Sequence, residues 1–259
     1  MSPIFKSVVL LLVRIFSVPF SLIPARLRLG LIKGLAVVDS RIGSPEAALK
    51  RQFSLADMID KTIAERATTY GEGEHPKHRL MRYHDFFVER IPENNRVLDI
   101  GCGYGAVART IAKRVSGVHV TGIELDSERY SQAVRMDNPS NLSFVHGDAI
   151  TELPEGAWDT IVLSNVVEHI DDRVGFLKAL VNNVRPKQVL IRVPLFERHW
   201  HVPLRKELGV NYFSDMTHFI EHTLDEFDDE LSRAGLSITE RQLRWGEIWA
   251  TCVPSRNSI

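Results

Sequence analysis

Between Val97 and Ala108 a short apolar run, three alternate glycines and the start of an amphipathic repeat follow one another without a break. Val97–Ile100, interrupted only by Asp99, reads as a buried parallel strand. Gly101, Gly103 and Gly105 come next. Val107, Ile111 and Val115 then recur at helical spacing, with Arg109, Lys113 and Arg114 on the other side. Strand, glycine turn and helix is the geometry that brings a helix N-terminus and bare backbone N–H groups against an anionic group. Glycine is needed because the turn is tight and a Cβ would block close approach of a ligand.

Gly101, Gly103 and Ala106 also satisfy the dinucleotide fingerprint G-x-G-x-x-A, so the glycines alone leave a nicotinamide enzyme open. Asp99 separates the two readings. A carboxylate two residues before the first glycine stands at the carboxyl end of the strand, where it suits a positive centre and repels a pyrophosphate. On these residues Val97–Gly105 resembles motif I of the class I S-adenosylmethionine-dependent methyltransferases. Their cofactor carries a sulfonium and an α-ammonium, with a single carboxylate for the helix end. The resemblance implies S-adenosylmethionine as cofactor, S-adenosylhomocysteine as product, and cofactor contacts from Asp99, Gly101, Cys102, Gly103 and Gly105.

The chain then alternates strand and helix, which argues for an α/β fold with a doubly wound, mainly parallel sheet. Val118–Ile123 is the second strand, with Glu124 and Leu125 at its end; an acid there accepts hydrogen bonds from both ribose hydroxyls. A helix over 127–136 stops at Asn138-Pro139, and Leu142–Val145 leads into Gly147-Asp148-Ala149. In the family pattern Asp148 receives the adenine amino group and the backbone at Ala149 receives ring contacts. Trp158–Asn165 is the fourth strand and runs into Val166-Val-Glu-His-Ile-Asp-Asp172, which resembles motif IV of the small-molecule branch. Asn165 is assigned to the cofactor on that likeness. The tetrapeptide of enzymes that methylate exocyclic amines of bases is missing here, which counts against N-methylation of nucleic acid. Val189–Val193 is the fifth strand, and Ser237–Arg241 with Ile248–Val253 forms a closing antiparallel hairpin, giving the seven-stranded Rossmann-like sheet of the family over residues 70–254.

Residues 1–69 read as a helical N-terminal extension and 70–259 as the cofactor-binding domain. Residues 1–38 hold Lys6, Arg14, Arg26, Arg28 and Lys33 but no acid, between apolar runs broken at Pro19 and Pro24. No small-residue cleavage site stands out, and Arg14 interrupts the one window long enough to span a membrane. Two short packed helices and a basic segment lying on an anionic membrane are both open. Residues 44–69 are helical. A further helix over 75–91 puts Leu80, Tyr83, Phe87 and Ile91 on one stripe, with His75, Lys77, His78, Arg79 and His84 beside the cofactor motif.

A net charge of −1 gives no bulk attraction to nucleic acid, and two cysteines, Cys102 and Cys252, mean no disulfide framework, in keeping with a cytoplasmic chain or one at the inner face of the membrane. The long connection 194–222 falls at the carboxyl edge of the sheet and reads as a substrate lid rich in His, Trp, Arg and carboxylates. Its Val-Pro-Leu-Arg-Lys-Glu-Leu-Gly and Asp-x-Thr-His segments are similar to uncharacterised methyltransferases associated with polysaccharide synthesis. Asp215, His218, Glu221 and His222 have metal-ligand spacing, but isolated matches of this kind are common and no metal is expected. The expected chemistry is methyl transfer to an oxygen of a saccharide, glycolipid or other small polar acceptor. His169 is the first candidate base, with His218 and His201 behind it. A non-catalytic partner subunit and an NAD-dependent oxidoreductase are the alternatives, both separable by cofactor titration.

Overall fold

The computed structural model describes residues 17–73, 75–153 and 156–255. Two compact units divide the chain, Met1–Arg66 and Ala67–Ile259. In the first, helix α1 (Ala25–Asp39) starts immediately after Pro24, and α2 (Pro45–Tyr70) starts on Pro45, where a missing N–H costs nothing. Arg51 of α2 binds the Asp39 carboxylate at 3.0 Å and the Ile42 carbonyl at 2.6 Å, and Gln52 donates to the Ala36 carbonyl, so the two helices form an antiparallel hairpin. None of the residues of α1 is buried. The basic positions Lys6 and Arg14 lie outside the described residues.

The second unit begins with a departure from expectation. The helix expected over 75–91 is two short helices, α3 (Lys77–Met81) and α4 (Tyr83–Val88). Arg82 between them adopts a left-handed conformation, φ 53°, which ends one helix and caps the next. Its guanidinium is held by Asp85 at 2.7 Å. Leu80 is therefore 58% exposed rather than part of the stripe, and the buried face is Tyr83, Phe86, Phe87 and Ile91.

Among the described residues seven strands form one sheet in the order β3-β2-β1-β4-β5-β7-β6. They are β1 (Arg96–Ile100), β2 (His119–Glu124), β3 (Leu142–His146), β4 (Thr160–Ser164), β5 (Gln188–Pro194), β6 (Leu236–Arg244) and β7 (Glu247–Pro254). The first five run parallel, and β7 inserts antiparallel between β5 and β6. Trp245 and Gly246 join β6 to β7 with both φ values positive, as a two-residue hairpin turn requires.

Period-two alternation sorts the core into two layers. Leu98, Ile161, Leu163 and Ile191 face α7 (Arg173–Ala179) and α9 (Leu224–Arg233) through Phe176, Leu177, Phe227 and Leu231. Val97, Val162, Leu190 and Trp249 face α4 and α5 (Ala106–Arg114) through Phe86, Phe87, Val107 and Ile111. Helix α6 (Ser127–Arg135) covers the β2–β3 edge. The chain turns from β1 toward β2 and β3 on one side, and toward β4 and β5 on the other. The carboxyl ends of β1 and β4 therefore flank the topological switch point, where ligands bind in open α/β sheets.

Candidate functional site

An open cleft of about 1900 Å³ lies at this switch point. Asp99, Gly101, Cys102, Gly103 and Asn165 line it from the ends of β1 and β4, and His169 from the turn that follows β4. His75, Lys77, His78, Arg79 and His84 line it from α3 and α4, while Arg198, Ser214, Asp215 and His218 come from the connection 194–222.

The glycine turn has the left-handed backbone that its sequence demands, with φ of 63°, 56° and 74° at Gly101, Gly103 and Gly105. The three are not equivalent. A Cβ on Gly101 would come within 2.9 Å of Val166, and one on Gly105 within 2.5 Å of Phe144, so these two serve close packing. A Cβ on Gly103 meets no protein atom within 4 Å. Gly103 is the position where the turn presents bare backbone to the cleft. Its N–H donates to Glu124 Oε2 at 2.7 Å, and Asp126 N–H donates to Oε1 at 2.9 Å. Glu124 thus braces the turn through a buried carboxylate with lone pairs to spare.

Asp99 is 2% exposed, and its Oδ2 has no hydrogen-bond partner. Burial, with Glu124 adding like charge, pushes its pKa up to about 7. A buried carboxylate without a partner is expensive, and a cationic ligand group at the end of β1 relieves it. At the end of β4, Asn165 takes a positive φ of 58°, and its Oδ1 is likewise buried without a partner. Both orphan oxygens belong to cleft-lining residues. Other expected cofactor residues sit further out. Gly105 caps α5, Leu125 is exposed and offers its carbonyl to His146 at 3.0 Å, and Ala149 packs against the core. Asp148 is half-buried and accepts from Ile150 N–H at 2.9 Å, closing a local turn.

The three histidines singled out as bases separate. His169 and His218 are brought together, ring centroids 4.4 Å apart and edge to face. Phe219 N–H donates to the Glu168 carbonyl at 2.8 Å and ties the connection 194–222 to the turn after β4. Thr217 Oγ1 donates to Asp215 at 2.7 Å, so at 2.9 Å from His169 Nδ1 it acts as acceptor, and His169 keeps its Nε2 lone pair. His218 Nδ1 donates to Glu221 at 3.0 Å, which leaves its Nε2 free as well. Burial, with His218 as a second cationic neighbour, holds His169 below its ordinary pKa. His201 lies on α8 (His201–Glu207) against His199 and Trp200, and it is not among the residues lining the cleft. Trp200, 65% exposed, also lies outside the lining. The spaced set Asp215, His218, Glu221 and His222 does not converge, because His222 turns away to Glu230 at 2.9 Å.

Two groups escaped the sequence reading. Arg192 is buried in β5, pairs with both Glu247 oxygens at 2.7 and 2.5 Å, and lies 3.9 Å over the Tyr83 ring. Its signal was a lone arginine in the apolar run Val189–Val193. Glu168 is fully buried, both of its oxygens lack partners, and desolvation raises its pKa to about 8. Only its place beside His169 in the sequence pointed to it.

A methyltransferase-domain family model matches residues 73–241, well over half of the chain. The chain belongs to the class I S-adenosylmethionine-dependent methyltransferases. Its cofactor is S-adenosylmethionine. The 2-methyl-6-phytyl-1,4-hydroquinone methyltransferase of Synechocystis sp. is 27% identical over 161 residues, 58% of this chain and 48% of that protein. The fatty-acid O-methyltransferase of Mycolicibacterium smegmatis is 30% identical over 112 residues, 42% of this chain and 40% of that protein. The methyltransferase chain thus spans about half or less of the length of these curated relatives. A solved complex of DhpI with S-adenosylhomocysteine superposes with TM-score 0.54 at 19% identity, covering 76% of this chain and 95% of that one, and shares the fold.

The cofactor fits the residues present. The open backbone at Gly103 leaves space that would admit its methionine part, the unpartnered Asp99 oxygen would suit its ammonium, and Glu124 has lone pairs that ribose hydroxyls could use.

Proposed function

We propose that this methyltransferase modifies an oxygen of a small polar acceptor, with a saccharide or glycolipid carrying negative charge as the best fit. The observation that carries the reading is the His169–His218 pair, whose rings share one cleft with the glycine turn, each with its Nδ1 engaged by a partner. Bound S-adenosylmethionine supplies a methyl group already activated on a sulfonium. The chain's task is to orient an acceptor hydroxyl and accept its proton as the oxygen–carbon bond forms and the carbon–sulfur bond breaks. His169 is neutral near pH 7 and presents a lone pair, as a base requires. His218, fixed by Glu221, sets the position of the ring beside it.

Charge on the wall supports the acceptor class. Among the described residues, nine Lys and Arg line the cleft against five Asp and Glu. Lys77 is desolvated there, which lowers its pKa, with Arg192 as a further cationic neighbour. Arg82 and Arg114 pair with Asp85, Arg192 with Glu247 and Arg198 with Glu221, and a phosphate or carboxylate on a sugar suits the surplus of cations that remains. Labelled methyl transfer from S-adenosylmethionine should be followed with a neutral glycan, its phosphorylated form and an apolar quinol. Transfer to the phosphorylated glycan above the neutral one is expected. Turnover of the quinol alone overturns this reading.

The first unit supports peripheral membrane contact. Leu27, Leu29, Leu31, Ile32, Leu35, Val37 and Val38 of α1 are all exposed, alongside Arg26, Arg28 and Lys33. No helix among the described residues is long and apolar enough to cross a membrane. Apolar side chains interleaved with cations suit the surface of an anionic bilayer. Cosedimentation with anionic vesicles should fall as salt rises; equal recovery with neutral vesicles opposes it.

A further inference from the structure

Beside the cofactor turn, Glu168, His169 and His218 each place one ligand atom within 4.8 Å of the other two. We propose that these three residues form a binding site for a divalent transition-metal ion, which holds the acceptor oxygen in the cleft. With the ion bound, His169 Nε2 would be a ligand and not a base; the metal would acidify the acceptor hydroxyl in its place, and the proton would pass to solvent. The inference rests on the methyl-transfer reading for its role, but the site stands on three observations of its own.

The first is Glu168. Its side chain is wholly buried, and neither carboxylate oxygen has a partner. Asp99 and Asn165 keep one orphan oxygen each, whereas Glu168 keeps two. Burying a carboxylate without hydrogen bonds costs several kcal/mol in order of magnitude, which coordination to a cation offsets.

The second is the pair of imidazoles. Each has its Nδ1 engaged, His169 with the Thr217 hydroxyl and His218 with the Glu221 carboxylate. These partners fix both tautomers so that Nε2 is the free ligand atom. An imidazole oriented by a carboxylate on its far nitrogen is the outer-shell arrangement of metal-bound histidines. Glu221 is itself held by Ser214 N–H at 2.5 Å and by Arg198 at 2.5 Å, so the orienting group is not mobile.

The third is the spacing. A tetrahedral ion with bonds of about 2.1 Å sets its ligand atoms about 3.4 Å apart. The observed limit of 4.8 Å therefore needs only side-chain adjustment. Two neutral imidazoles and one carboxylate leave an open position and suit Zn²⁺, Mn²⁺ or Co²⁺. His169 and His218 both line the cleft, so that position faces the acceptor side.

The test is calorimetric titration of the metal-stripped full chain with Zn²⁺ and Mn²⁺, with Co²⁺ absorption spectra as a report of nitrogen ligation. One ion per chain is expected, with binding weakened at least 100-fold in Glu168→Gln and in His218→Ala. Glu168→Gln keeps shape and removes only the charge, which guards against a folding defect. S-adenosylmethionine titrated in parallel should bind wild type and both variants alike. Absence of stoichiometric binding by wild type, or wild-type metal affinity in both variants, overturns the site. Metal binding without S-adenosylmethionine binding leaves the site standing and refutes the cofactor reading instead.

Discussion

Asp99→Asn removes the buried charge from the end of β1 and should make the free protein more stable while weakening its hold on the cofactor. The Asp99 pKa rises from 3.8 to about 7 because burial disfavours the anion and Glu124 adds like charge. The sign follows from the raised value. Between the unfolded and folded pKa the native state holds a proton that the unfolded chain has lost, so Asp99 costs stability as pH climbs from about 4 to about 7. Three pKa units correspond to about 4 kcal/mol, an upper bound for a group whose surroundings can relax. Asn keeps the shape without the charge, so the variant should gain on wild type across that window and hold a constant lead above it. Urea unfolding at pH 5, 6, 7 and 8 reads this through Trp158 and Trp249, both buried in the second unit. Cofactor binding runs the other way. If ionised Asp99 meets the ammonium, wild-type affinity should rise with pH up to about 7, by as much as tenfold per unit, with proton release. Affinity in Asp99→Asn should be lower and flat with pH. Parallel stability profiles for the two proteins would falsify the assignment of an uncompensated charge to Asp99.

Three further outcomes follow from the site. Glu124→Ala should weaken S-adenosylmethionine by about 1.5–3 kcal/mol in calorimetry, the scale of hydrogen bonds to a charged group. The loss should shrink for a ligand without ribose hydroxyls, and an equal loss would make Glu124 a brace for Gly103 and Asp126 alone. Glu247→Ala strands the buried Arg192 guanidinium and should cost about 3–5 kcal/mol of stability by urea unfolding; a loss below 1 kcal/mol would mean that water reaches it. His169→Ala and His218→Ala should each lower methyl transfer at least tenfold with cofactor affinity unchanged. Wild-type turnover in both variants would leave positioning as the whole of catalysis.

The sheet was legible because its signals are local. Apolar runs bounded by Gly, Asn and Pro mark β1 to β5, and carboxylates at strand ends mark where a ligand belongs. The break at Arg82 was not legible, since an arginine at φ 53° leaves no trace in an apolar stripe that continues through Leu80 and Tyr83. The cofactor turn showed itself through glycines that only a positive φ requires, yet the sequence treats the three alike. Space separates Gly103 from Gly101 and Gly105, and space depends on Val166 in the turn after β4 and Phe144 on β3. His169 and His218 are 49 residues apart and meet because Phe219 bonds to Glu168, which no spacing rule contains. The sequence also offered His222, by metal-ligand spacing, and His201, as a candidate base, and the fold sends both elsewhere. Net charge was silent on this point, because a chain of net charge −1 can still place more cations than acids around one cleft.

The most direct measurement is calorimetry of S-adenosylmethionine on wild type and Gly103→Val, with the native fluorescence of Trp158 and Trp249 as a check on the fold. Protein atoms leave room for a side chain at Gly103, so the loss must come from the ligand's own space, with some backbone strain at φ 56°. One cofactor per wild-type chain and at least 100-fold weaker binding in a folded Gly103→Val protein is the predicted result. Unchanged affinity in the folded variant would place the cofactor elsewhere.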